Sequence, residues 1–95
     1  MVFDLSKVTG IGNYDVKQEK ERTIYNIGDK AFLVENKNTI ELRTDDKLAK
    51  LLEEKYESVM ESRYFGRGGI EIVLAGQLEQ SEVEDLVRLS YNMTK

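Results

Sequence analysis

The chain has 95 residues, of which 40% are hydrophobic and 34% charged, and its formal net charge is −4. This length allows one domain with one core, and this balance is typical of a globular protein rather than a disordered one. The sequence contains no cysteine and no histidine, which excludes disulfides and thiolate chemistry and removes the commonest general base. We therefore expect no enzyme site, no bound metal and no cofactor.

Two further exclusions follow from the distribution of apolar and charged residues. No apolar run approaches the roughly 18 residues that a membrane-spanning helix needs, and residues 1–10 do not resemble a signal peptide, so we expect a cytoplasmic protein. Residues 44–95 carry the whole negative excess, with eleven acidic and seven basic side chains. Nucleic-acid binding draws its affinity from Lys and Arg, so this charge disfavours it without excluding a local basic patch.

The chain begins with a short helix of about two turns, predicted within residues 1–13. Its apolar positions are Val2, Phe3, Leu5 and Val8. Residues 14–22 are strongly polar and fit either an exposed edge strand or an ordered loop. Their mixed-sign charges suit an edge strand that resists pairing with other chains, and the alternative is a docking strand for a partner.

From Thr23 onward the hydrophobic period is two, which predicts a three-stranded antiparallel meander. Its turns fall at Gly28-Asp29 and at residues 36–38. In the third strand, we expect Ile40 and Leu42 to point inward and their neighbours Glu41 and Arg43 to point outward.

A helix over about residues 45–57 follows, with carboxylates at its positive end. Its apolar stripe consists of Leu48, Leu51, Leu52 and Tyr56. A second helix is predicted from a capping box of Ser81 and Glu84. Its stripe consists of Val83, Leu86, Val87 and Tyr91. We expect both tyrosine rings to close the rim of the core, with their hydroxyls in water.

The segment between the helices contains a loop or short strand over residues 60–65, a turn over residues 66–69 and a strand over residues 70–74. In that strand we expect Ile70, Ile72 and Leu74 to point inward. The element order is therefore short α-βββ-α-ββ-α. Helices with one apolar stripe must cover a sheet with one apolar face. The prediction is a two-layer α+β domain, in which two main helices cover an antiparallel sheet of about five strands.

One segment combines the residue types of a binding surface, since two arginines flank two aromatic rings. It consists of Arg63, Tyr64, Phe65 and Arg67. One interpretation is a hairpin turn whose arginines offset Glu61 and Glu71. The others are a surface for a protein or peptide, and a stacking platform for unpaired bases. The acidic group over residues 79–85 is interpreted as a helix start that complements the dipole, and not as a cation site.

The sequence from about Ile24 to Tyr91 resembles the MmcQ/YjbR-like family. The matching segments are residues 28–32, residues 39–43, residues 48–52, Tyr64-Phe65-Gly66-Arg67, Ser90-Tyr91 and the turn at residues 8–11. The resemblance implies one domain over residues 1–95 with a shortened N-terminal helix and a fold broadly like the secretion chaperones. The family has no established enzymatic activity, so the resemblance does not imply that this protein is an enzyme. A nucleic-acid role has been suggested for the family.

The function we expect is that of a small non-enzymatic binding domain, with a protein as its partner. The alternative is a nucleic-acid-binding module that uses residues 63–69. A carboxylate- or lysine-based enzyme is a further rival, and it requires a concave pocket in which two ionisable groups converge. The oligomeric state stays open.

Overall fold

A six-stranded antiparallel sheet carries both main helices on one face in the computed structural model, which describes residues 3–95. The strands are β1 Asp15–Gln18, β2 Thr23–Ile27, β3 Lys30–Glu35, β4 Thr39–Arg43, β5 Val59–Ser62 and β6 Gly66–Val73, in the order β1-β2-β3-β4-β6-β5. The helices are α1 Asp46–Lys55 and α2 Gln80–Thr94. The predicted α+β class is confirmed, with six strands instead of about five.

The additional strand comes from the polar segment that left two alternatives open. β1 forms an edge strand and pairs with β2, with Lys17 opposite Ile24. Residues 19–22 then make a tight turn, in which the Glu19 amide donates to the Arg22 carbonyl at 2.9 Å. All four residues of β1 are exposed, so charged side chains lie along this open edge of the sheet.

The N-terminal segment forms less helix than predicted. A single 3-10 turn spans Leu5–Lys7, where the Asp4 carboxylate accepts a hydrogen bond from the Ser6 amide. Leu5 and Val8 are buried in the core. Val2, which belongs to the predicted helix, lies outside the described residues. The two-turn helix is therefore wrong for the part of the segment that the structure describes.

The main core lies between the helices and the sheet. Four of the five residues predicted to point inward from the third and last strands are fully buried there: Ile40, Leu42, Ile70 and Ile72. The fifth, Leu74, follows the end of β6 and is half-buried against the same core. In β3 the register against β2 shifts by one residue, so Phe32 has no opposite residue and joins Leu33 in this core. The ladder between β3 and β4 ends where Leu33 is opposite Leu42. Beyond it the Ser90 hydroxyl bridges the two strands, donating to the Phe32 carbonyl at 2.5 Å and accepting from the Arg43 amide at 2.8 Å.

The first helix is rotated relative to its predicted stripe. Leu51 is 60% exposed, whereas Ala49 is buried and Leu52 is half-buried. An alanine at the contact allows the helix to lie close to the sheet, and Leu51 then projects to one side. The prediction that Leu51 belongs to the core is wrong.

The cap of the second helix lies two residues earlier in the chain than predicted. Its N-cap is Glu79, whose amide donates to the Glu82 carboxylate at 3.1 Å, so the expected box of Ser81 and Glu84 is wrong. The stripe is largely confirmed, because three of its four residues, Val83, Val87 and Tyr91, are buried. The fourth, Leu86, is half-buried.

The two tyrosine hydroxyls were expected to reach water, but both form hydrogen bonds within the protein. The Tyr91 hydroxyl donates to the Asn13 carbonyl at 3.1 Å, and the Tyr56 hydroxyl donates to Glu82 at 2.9 Å. Each bond joins a helix to another part of the chain, so both tyrosines tie elements together. Within residues 3–95, no helix has the length and apolar character needed to cross a membrane.

Candidate functional site

The face of the sheet opposite the helices is covered in part by the turn between β5 and β6. This turn comprises residues 63–65, so the predicted turn over residues 66–69 is wrong; those residues begin β6. Phe65 folds back over the sheet and packs on a second small core of Ile24, Ala31 and Val34. Gly69 makes this possible, because a Cβ there would lie 2.5 Å from the Phe65 Cβ and 2.8 Å from the Leu42 carbonyl oxygen.

The two rings of this turn are held by arginines, although not by those that flank them in sequence. Arg22 lies over the Tyr64 ring at 5.2 Å from its centroid, and Arg43 lies over the Phe65 ring at 5.0 Å. The rings meet edge to face, with centroids 4.9 Å apart. The four side chains form a row from the β1–β2 turn to β4, which holds the turn against the sheet.

Beneath the turn lie two buried carboxylates. Glu41 of β4 and Glu71 of β6 are directly opposite each other in the register, and they are only 2% and 3% exposed. The sequence pattern placed them away from the helices, which is correct, but it also predicted that Glu41 points to solvent, which is wrong. Like charges in this arrangement repel each other, so the surrounding groups must compensate.

Glu41 is compensated by hydrogen bonds from three directions. Its carboxylate accepts from the Ser62 hydroxyl at 2.8 Å, from the Tyr64 amide at 2.9 Å and from the Asn36 side chain at 2.9 Å. Burial raises the pKa of Glu41, but these bonds, together with the charge of Arg63, hold that pKa below its usual value. Glu41 is therefore ionised at neutral pH.

Glu71 is compensated by an arginine and a hydroxyl. Arg63 donates to its two oxygens through Nε at 3.0 Å and Nη2 at 2.7 Å, and the Thr39 hydroxyl donates at 2.7 Å. Thr39 also accepts from Asn36, so one continuous network joins the two carboxylates. Throughout residues 3–95, every buried side-chain nitrogen or oxygen has a hydrogen-bond partner. Both carboxylates are therefore structural anchors for the turn.

An open cleft of about 900 Å³ lies beside the turn on the same face, and we call it the free-face cleft. Three turns of the chain surround it, at residues 19–22, 36–38 and 63–65. Its lining residues are Glu19, Lys20, Glu21, Arg22, Asn36, Lys37, Glu41, Arg63 and Tyr64. The Arg63 side chain is 75% exposed there despite its bond to Glu71, and Tyr64 is 41% exposed.

The predicted binding segment is thus divided by the fold. Arg63 and Tyr64 line the free-face cleft, Phe65 lies beneath the turn, and Arg67 lines a separate pocket of about 150 Å³ beside α1. The interpretation that the arginines offset Glu61 and Glu71 holds for the pair of Arg63 and Glu71, whereas Glu61 lines the small pocket and forms no ion pair within residues 3–95.

The acidic residues of the second helix contact groups of the protein itself. Glu84 and Asp85 both form ion pairs with Arg88, and Glu82 binds Tyr56. Within residues 3–95, no three acidic side chains are grouped so as to hold a metal ion.

Sequence reasoning missed most of the cleft. Lys20 and Arg22 were assigned only to a charged edge, and Lys37 only to a turn, because these residues are far from Arg63 along the chain. Strand alternation did place Glu41 and Glu71 on one face of the sheet. Nothing in the pattern showed that β6 lies directly beside β4, which is what brings the carboxylates together.

Comparisons with known proteins bear on the fold alone. No protein-family model matches the chain, and no curated protein matches it. Among solved structures, a crystal structure of a protein from Pseudomonas syringae is similar, with a TM-score of 0.73 and 14% sequence identity. The similarity covers 86% of this chain and 87% of that one. The two proteins therefore share an arrangement of helices and strands over nearly their whole length.

Proposed function

We propose that this protein is a non-enzymatic cytoplasmic binding domain, which holds a segment of a partner protein in the free-face cleft. One observation carries the proposal: the two buried carboxylates under the turn, Glu41 and Glu71, are hydrogen-bonded at both oxygens, while the groups exposed in the cleft are cations, a tyrosine ring and one carboxylate unpaired within residues 3–95, Glu21. Such a cleft offers contacts to a ligand and lacks an activated group. The resemblance of its motifs to the MmcQ/YjbR-like family agrees with a role in binding.

A carboxylate-based enzyme is the rival that these contacts argue against. A pair of acidic residues can act as acid and base when their environments push their pKa values apart and one stays protonated near neutral pH. Here the pKa of Glu41 is lowered, so this carboxylate is a weak base. Glu71 is held at both oxygens by Arg63 and is only 3% exposed, so a substrate has little access to this carboxylate.

The proposal is tested by selecting binders from a displayed library of random peptides. We expect peptides that bind the wild type and lose binding when Lys37→Ala and Tyr64→Ala are combined. The matched control is Lys47→Ala, an exposed lysine on α1 and so on the opposite face of the sheet. The proposal fails if no peptide is enriched, or if the selected peptides bind the double variant as well as the wild type.

A nucleic-acid-binding role is the second candidate, and the exposure of Tyr64 among cations favours it. Against it, Arg22 already lies over the Tyr64 ring and Phe65 contacts the same ring, so the surface left for stacking a base is reduced. Labelled single-stranded and duplex DNA should show no binding at low salt, where the electrostatic attraction is greatest. Binding that weakens steeply with salt and is lost in Arg63→Gln would support this candidate instead.

A further inference from the structure

We infer that the segment bound in the free-face cleft is acidic: a short peptide stretch that presents one or two carboxylates beside an apolar side chain. This inference rests on the proposed function and names the chemistry of its ligand.

The first support is a surplus of hydrogen-bond donors in the cleft. Arg63 uses Nε and Nη2 to hold Glu71, and its Nη1 has no hydrogen-bond partner within residues 3–95. Arg22 donates to Glu19 through Nε alone. The Tyr64 hydroxyl also makes no hydrogen bond to the described part of the chain. A ligand that supplies acceptors would satisfy these groups, and a carboxylate supplies them with charge.

The second support is the balance of charges that have no partner. Within residues 3–95, Lys20 and Lys37 form no ion pair, although both line the cleft. Of the carboxylates there, Glu19 is paired with Arg22 at 2.7 Å, and Glu41 is buried beneath the turn, where it accepts three hydrogen bonds. Glu21 is the one exposed carboxylate of the lining without a partner within residues 3–95, so the exposed unpaired charges of the cleft are two cations and one anion, on a chain whose net charge is −4. This contrast directs an anionic ligand to the cleft.

The apolar part of the ligand is inferred from Tyr64. Its ring is 41% exposed at the wall of the cleft, and the aromatic row behind it keeps it in place. A fixed ring provides contact area at little cost in conformational entropy, which is why tyrosine is common in binding surfaces. A peptide with one aliphatic side chain between two carboxylates would contact the Tyr64 ring through the aliphatic group and the cations through the carboxylates.

The same charges favour a short acidic peptide over a nucleic acid. A phosphate chain carries a charge at every nucleotide, so it could not avoid Glu21 and the pair formed by Glu19 and Arg22. The free cations belong to separate turns of the chain instead of forming a continuous basic track of the kind that follows a nucleic-acid backbone. Discrete carboxylates can be placed between such groups.

The inference is tested with three labelled peptides of identical length: acetyl-Gly-Glu-Leu-Glu-Gly-amide and the versions in which glutamine or lysine replaces both glutamates. We expect the glutamate peptide to bind at least about tenfold more tightly than the other two and to lose affinity as salt is added. In spectra of isotope-labelled protein, the amide signals of Lys20, Lys37 and Tyr64 should shift on binding.

The matched variants separate specific binding from general attraction. Lys20→Gln combined with Lys37→Gln should reduce the affinity for the glutamate peptide by about tenfold. Lys47→Gln combined with Lys50→Gln removes the same charge from α1 and should change the affinity less than twofold, about the effect of distant exposed charges. Both double variants change exposed side chains, so folding is preserved and can be verified by thermal unfolding.

In the experiments with defined peptides and variants, three results would overturn the inference. The first is equal binding of the glutamate and glutamine peptides, and the second is equal loss of affinity in both double variants. The third is tighter binding of an oligothymidylate at the same amide signals, which would assign the cleft to nucleic acid. If library selection yields neutral or basic peptides that depend on Lys37 and Tyr64, the inference fails while the proposed function stands. If no peptide of any charge binds, both fail.

Discussion

The two faces of the sheet bury their residues by different means. On the helix-covered face, aliphatic side chains from the strands meet α1 and α2 in a core of the usual kind. On the helix-free face, a turn of three residues covers two carboxylates and a small apolar cluster. The first face depends on apolar area, and the second depends on hydrogen bonds, one arginine and the absence of a side chain at Gly69.

This difference indicates how stability and function are divided. The helix-covered face tolerates few changes of volume but does not depend on charge. The helix-free face depends on charges that pH and salt can alter, and these groups also form the wall of the free-face cleft. Changes on the second face should therefore affect both stability and binding.

The largest effect should come from the helix-covered face. Leu42 is fully buried, and Leu42→Ala should lower the free energy of unfolding by about 2–5 kcal/mol, because apolar contact is lost and a cavity remains. Urea unfolding measures this loss. A change below about 0.5 kcal/mol would show that this face is not the main core.

The next effect tests the arginine that compensates Glu71. Arg63→Met leaves the buried Glu71 carboxylate without its charged partner, so urea unfolding should show a loss of stability that is smaller than that of Leu42→Ala. Arg67→Met is the control, because Arg67 makes no ion pair or side-chain hydrogen bond within residues 3–95, and it should change stability by less than about 0.5 kcal/mol. Equal losses in the two variants would contradict the structural role of Arg63.

The glycines of β6 test whether the turn lies against the sheet. Gly69→Ala should cost about 1–3 kcal/mol, because its Cβ would overlap Phe65 and the Leu42 carbonyl. Gly68→Ala should cost less, since its Cβ would lie no closer than 3.6 Å to its neighbours. Thermal unfolding compares the two, and a Gly69 variant as stable as the Gly68 variant would mean that Phe65 does not cover this position.

Acid should destabilise the helix-free face through Glu41. The pKa of Glu41 is lowered in the fold from its ordinary value of 4.5, so its ionised form contributes stability above that pH. This contribution is lost as the pH falls from 4.5 through the lowered pKa of the folded state. Glu41→Gln should therefore lose less stability than the wild type between about pH 6 and about pH 3. Parallel pH profiles of the urea midpoint in the two proteins would contradict this role.

The smallest effect should come from the leucine that the sequence pattern placed in the core. Leu51 is 60% exposed, and Leu51→Ala should change the free energy of unfolding by less than about 0.5 kcal/mol. A loss comparable to that of Leu42→Ala would show that α1 packs with the predicted stripe after all.

Local patterns predicted the helix-covered face well because its residues repeat with the periods of strands and helices. Ile40, Leu42, Val83 and Val87 lie where periodicity placed them. Leu51 is the exception, because helical spacing shows which residues share a face of the helix but not how the helix is rotated against the sheet. The packing of Ala49 against the sheet decides that rotation. The polar edge strand β1 was left open because its charges fit a loop equally well.

For the helix-free face, the sequence identified the residues of the turn but did not predict their contacts. Two arginines and two rings were identified at residues 63–67, yet the rings contact Arg22 and Arg43. These partners come from β-strand neighbours or turns distant in sequence, and no local period records them. The same holds for Asn36 and Thr39, which link the two carboxylates.

By itself, the sequence determined the fold class, most of the elements and the apolar half of the core, since these follow from spacing along a single strand or helix. The order of the strands, the burial of Glu41 and Glu71 and the site of the cleft were decided only when β6 came to lie between β4 and β5. The physical reason is distance along the chain. Hydrophobic periodicity is a pattern among residues that are close in sequence, whereas the burial of a charge depends on partners that only the folded chain brings within hydrogen-bond distance.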